Sequence, residues 1–180
     1  MIFPLFRQNP RHQIIASLYG TIVAQAGARA FYRDYGVPDT ANGRLEMIML
    51  HIVLFLGRLE GEPAPARALG QAVFDHFCRD MDASMREMGV GDLAVPRKMR
   101  RIGVAFYGRQ AACRAALTAS DDAPLVAMLQ RQVFADASKG GAPGRLATYI
   151  RESARQLGEQ ENEAFGRGDV SFPDPDAAHA

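Results

Sequence analysis

Residues 63–88 read PAPARALGQAVFDHFCRDMDASMREM, and the spacing within this stretch decides the fold class. Two prolines, Pro63 and Pro65, stand where a helix tolerates them, in its first turn. From there Leu69, Val73, Phe77, Met81, Met85 and Met88 recur at steps of four or three, which lines them up along one side of an α-helix. The opposite side carries Asp75, Arg79, Asp82 and Arg86. A strand would alternate apolar and polar residues at every second position, and no stretch of the chain sustains that pattern.

Outward from this helix, glycine and proline divide the chain into similar blocks. Toward the N-terminus, the segment from about Gly43 to Gly61 is apolar between Arg44 and Arg58 except for Glu46 and His51. As a helix that run spans roughly 20 Å, short of a bilayer core of about 30 Å, so it reads as a buried helix. GVPDTANGR before it is loop, because Pro38 disfavours a helical Val37 while Asp39, Thr40 and Asn42 turn or cap the chain. A first helix is expected from Arg11 to Ala26, with Ile14, Ile15, Leu18, Ile22 and Val23 on one face, followed by the aromatic stretch FYRDYG.

Toward the C-terminus, GVGDLAVP (Gly89–Pro96) is a glycine-bounded connector, and a helix follows from Pro96 or Arg97 to Thr118. Further helices are expected from beyond Asp122 to Ala137 and from Pro143 to Phe165, with SKGGAPG between them. No solenoid repeat is present. The expectation is an all-α fold: a single compact bundle of six to seven helices with short loops. Residues 1–10 form an N-terminal arm, 11–166 the helical domain, and 167–180 an acidic, flexible tail, disordered or laid down as an extended strap.

The 180 residues are 48% hydrophobic and 23% charged, and a mean hydropathy of −0.13 excludes disordered and integral-membrane classes. MIFPLFRQNPR holds too few apolar residues before Arg7 for a secretory signal. Cys78 and Cys113 are too few for a disulfide framework or a tetrahedral zinc site and read as buried thiols. The expected compartment is the cytosol, extending to a peripheral position on the cytoplasmic face of the inner membrane.

A formal charge of +1 conceals a local imbalance. Residues 93–120 carry six basic residues, Arg97, Lys98, Arg100, Arg101, Arg109 and Arg114, and no acid. Residues 152–180 carry seven acids against two arginines. In projection, Met99, Ile102, Phe106, Cys113 and Leu117 share a stripe, and Arg97, Lys98 and Arg101 lie mostly away from it. Such a helix suits anionic lipid, RNA phosphate or an acidic protein surface. Its bland counterpart is a solvated face paired with Asp75, Asp80, Asp82, Glu87 and Asp92. By charge alone, the acidic tail could cover it. Methionines at 81, 85 and 88 suit either ordinary core or a surface accommodating varied apolar partners.

Enzyme signatures are missing: no phosphate-binding loop, nucleophile elbow or zinc-protease motif is present. His51, flanked by MIML and IVLFL, suits either a haem or metal ligand or a core histidine hydrogen-bonded to a carbonyl, Glu46 or Arg44. His76 shares a helix face with Asp80. An all-α haem- or metal-handling enzyme using His51 or His76 is thus one alternative, and a regulatory protein-interaction module is another. The residues themselves name no catalytic group, no cofactor and no metal.

FYRDYGVPDTANGRLEM (Phe31–Met47), the pair Leu50-His51, FDHFCRDMDASMREMGVGDLAVPRKM (Phe74–Met99) and AFYGR (Ala105–Arg109) follow in this order. Together they resemble the ubiquinol-cytochrome c chaperone family, whose members assist assembly of the respiratory cytochrome bc complex. DMD followed by REMGVGDL and VP carries most of the likeness, which runs from Arg11 to Leu117. The resemblance implies a non-enzymatic helical chaperone engaging newly made cytochrome b, a haem-bearing membrane protein. Mitochondrial members work with a small partner subunit near the translating ribosome; this chain shows no presequence, as expected of a bacterial member. In that role Met81, Met85, Met88, Val90 and Leu93 are the candidate client surface. Arg97, Lys98, Arg100, Arg101 and Arg109 are the candidate recruitment surface, facing an anionic membrane or the ribosome, with no specific DNA binding.

Overall fold

A computed structural model describes residues 10–135 and 140–177. Along them run α1 (Pro10–Ala26), α2 (Arg29–Arg33), α3 (Ala41–Leu59), α4 (Ala64–Glu87), α5 (Val95–Thr118), α6 (Ala123–Gln132), α7 (Ala142–Glu159) and α8 (Asn162–Arg167). No strand occurs among the described residues. The fold is an all-α bundle, as the periodicity predicts, with α2 and α8 as short additions of five and six residues. Of the expected N-terminal arm, only Pro10 lies within the described residues, and it begins α1.

α3 is the central element, packed against α1, α4, α5 and α7. Its apolar run is buried on nearly every side: Met47, Met49, Leu50, His51, Ile52, Val53, Leu54, Phe55 and Leu59 all lie in the interior. Each such aliphatic or aromatic side chain contributes about 1.5–3 kcal/mol. The GVPDTANG loop fixes where α3 begins. Thr40 caps it, its hydroxyl accepting from the Gly43 N–H at 3.1 Å. The loop then folds back so tightly that a Cβ at Gly43 would stand 2.1 Å from the Pro38 carbonyl oxygen.

Two arginines end helices they do not belong to. Arg58 of α3 donates to the Leu157 carbonyl at 2.9 Å and the Gln160 carbonyl at 2.8 Å, satisfying orphan acceptors at the end of α7. The single helix expected from Pro143 to Phe165 is therefore two, α7 and α8. Arg151 of α7 reaches the Leu117 and Asp121 carbonyls and does the same for α5. The helix expected to reach Ala137 also ends early, at Gln132, where Val133 and Phe134 turn into the core.

The C-terminal segment takes the second of its two expected forms. Within the described residues it is an extended strap, with Val170, Phe172 and Pro175 buried. Gln25 donates to the Pro173 carbonyl at 2.8 Å, the Tyr35 hydroxyl to that of Pro175 at 3.2 Å, and Arg33 pairs with Asp176 at 2.9 Å. Gln160 reads the Ser171 backbone both ways, donating to its carbonyl and accepting from its N–H. The tail is neither free nor laid over the basic helix: it closes against α1, α2, α3 and α7. Acid count suggested disorder, but Val170 and Phe172 are buried, and the Phe172 ring packs edge-on against His51 at 5.2 Å.

Candidate docking surface on the α4–α5 hairpin

α4 ends in a tight turn. The N–H of Gly89, at φ +78°, bonds the Arg86 carbonyl at 2.9 Å, and that of Val90 bonds the Met85 carbonyl at 3.0 Å. This six-to-one closure is the usual device by which a glycine stops a helix. It separates the methionines. Met85 is only 7% exposed and Met81 is partly buried against the core, whereas Met88 is 73% and Leu93 93% exposed, with Val90 between. The candidate client surface is thus corrected at Met85 and reduced at Met81. Val73, Phe77, Met81 and Met85 sit at four-residue steps, so the rhythm that makes α4 a helix also turns them inward.

On α5, Phe106, Cys113 and Ala116 are buried, and Arg97, Lys98, Arg100 and Arg101 are exposed. None of these four cations has a carboxylate partner among the described residues. Four of the five acids expected to pair with them are engaged elsewhere, all but Glu87. Arg86 takes Asp82 at 2.7 Å and also Asp92. The Tyr19 hydroxyl donates to Asp80 at 2.7 Å, and Gln71 to Asp75 at 2.8 Å. Among the cations stand two exposed apolar side chains, Val104 at 70% and Tyr107 at 58%. Arg97, Arg100, Arg101, Val104 and Ala105 line one shallow depression.

Arg109 departs from the candidate recruitment surface. About three turns beyond Lys98, on the same side of α5, it lies where this helix packs against α3. There Arg109 forms a two-point ion pair with Glu46, Nε donating at 2.5 Å and Nη2 to the second oxygen. The Glu46 side chain is 5% exposed. Burial pushes its carboxyl pKa up, and Arg109 pulls against that shift. Arg114 is likewise paired, with Glu60.

His51 is fully buried. Its Nδ1 lies 2.8 Å from the Met47 carbonyl, which only accepts, so Nδ1 carries the proton. Nε2 accepts from the Tyr149 hydroxyl at 2.9 Å, and Gln25 donates to that hydroxyl at 2.9 Å. Desolvation lowers the imidazole pKa to about 4. With both nitrogens occupied, His51 offers no lone pair to a metal or haem. It also does not line the cleft of about 570 Å³ that opens beside the strap between Tyr35, Tyr149 and Pro173. His76 is partly buried and packs on the Tyr19 ring at 4.9 Å. Among the described residues no three His, Cys, Asp or Glu side chains gather as a metal site.

The profile of the ubiquinol-cytochrome C chaperone family matches residues 33–172. The chain belongs to this chaperone family. A solved structure described as the Cbp3 homolog from Brucella abortus is similar throughout, at 40% identity over 98% of each chain, with a TM-score of 0.84. No curated protein matches the sequence. The matched span of the chaperone family takes in the whole α4–α5 hairpin and the start of the strap, to Phe172.

Sequence reasoning missed Val104 and Tyr107. The signal was present: 97, 100, 101, 104 and 107 follow one another at helical steps, so the projection that separates the cations from the core stripe also places these two beside them. The four large hydrophobic side chains most exposed among the described residues, Met88, Leu93, Val104 and Tyr107, all belong to this hairpin.

Proposed function

We propose that this protein is a non-enzymatic assembly chaperone that receives newly made cytochrome b before the ubiquinol-cytochrome c reductase complex is complete. Membership of the chaperone family over residues 33–172 carries this reading. Met88, Val90 and Leu93 supply the apolar client contact, since exposed apolar groups gathered on one hairpin suit an apolar client segment. Arg97, Lys98, Arg100 and Arg101 hold the chaperone where the client emerges, at the cytoplasmic face of the inner membrane or at the ribosome.

An affinity pull-down from native-host membranes tests it. Cytochrome b should be enriched, and its assembly should fail when the gene is removed. Met88→Asp with Leu93→Asp should abolish enrichment while leaving helicity intact, because both side chains already face solvent. Enrichment by the double variant equal to that of the parent would reject this client surface.

A further inference from the structure

We infer that the outer face of α5 docks on a lipid bilayer carrying anionic headgroups, with Val104 and Tyr107 set among the headgroups and Arg97, Lys98, Arg100 and Arg101 paired with their phosphates. The inference rests on the recruitment role proposed above and commits it to one partner.

Charge complementarity is the first argument. Four cations stand within five positions, no acid occurs from residue 93 to 120, no ion pair joins Glu87 to them, and Asp82, Asp92, Asp80 and Asp75 are already held by Arg86, Tyr19 and Gln71. The cations are therefore available to an outside anion. Each Lys or Arg near an anionic bilayer strengthens partitioning about fivefold.

Interleaving is the second. Val104 and Tyr107 project from the same outward side as Arg97, Arg100 and Arg101, 70% and 58% exposed. An RNA backbone rewards cations and stacked aromatics, but an aliphatic side chain gains nothing from ribose and phosphate. A bilayer interface rewards all three types: the cation at the phosphate, the aliphatic group at the acyl boundary, and tyrosine spanning the two. The Tyr107 ring packs 5.9 Å from that of Phe74, which anchors it to the core while its edge stays outside.

The chain contains no tryptophan, so Val104→Trp places a lone indole on this face. With vesicles of phosphatidylcholine and phosphatidylglycerol, its emission should shift to the blue and be quenched by brominated acyl chains; pure phosphatidylcholine should do neither. Arg97→Glu with Arg100→Glu and Arg101→Glu should reduce vesicle partitioning by two orders of magnitude or more. Val104→Ser with Tyr107→Ser, which keeps every charge, should weaken it at least fivefold, and circular dichroism should show both variants folded. Emission that does not move, or partitioning unaffected by either variant, overturns the inference. So does co-sedimentation with ribosomes without vesicle binding, which would assign the face to RNA. Cytochrome b enrichment from detergent extracts should survive all of these substitutions; its loss in Met88→Asp with Leu93→Asp alone belongs to the client surface, so the two readings fail separately.

Discussion

Among single residues, the two arginines named together for recruitment have opposite roles. Arg100 faces solvent with no partner among the described residues, whereas Arg109 neutralises a carboxylate in the interior. Removing one member of a buried pair strands the other, at a cost of about 3–5 kcal/mol. Arg109→Met should accordingly lower the urea midpoint sharply, and Arg100→Ala should leave it in place. His51 makes a second prediction. Its folded pKa of about 4 lies below the ordinary 6.5, so the unfolded chain takes up the proton first. The neutral imidazole's contribution is whole above pH 6.5 and declines as pH falls toward 4. Between pH 7 and pH 5 about 2 kcal/mol should be lost, measurable by urea denaturation, and His51→Gln should flatten that dependence.

Individual elements show where the sequence was legible. The periods of α3, α4 and α5 are long and regular, and their boundaries fall within about two residues of the reading from glycine, proline and capping residues. What ends α7 could not be read locally, because Arg58 lies about a hundred positions away from the carbonyls it satisfies. The strap is a similar case: its acidic composition is real, yet Val170 and Phe172 are buried, and composition does not reveal that the Phe172 ring finds His51 to pack against. Deleting residues 169–180 uncovers His51 and its surroundings and should lower stability by about 3–6 kcal/mol, from two large apolar side chains. Because the strap lies away from α5, the same deletion should leave binding to anionic vesicles unchanged. Flotation assays read that directly, and stronger binding would mean that the strap covers the basic face after all.

For the whole molecule, the fold class and family were legible because they depend on pattern summed along the chain, whereas the surface depended on which charges find partners in three dimensions. Arg109 and Met85 were misplaced for one reason: both look like members of an exposed series until neighbouring helices are present. The strap also ties the last part of the chain to the first. Gln25 meets Pro173 across 148 positions, and Tyr35 meets Pro175 across 140. At synthesis rates of about 5–20 residues per second, the ring pocket around Phe31 and His51 waits roughly 6–30 s for its cover. During that interval the nascent chaperone shows water the same kind of unprotected apolar surface that it is proposed to shield in another protein.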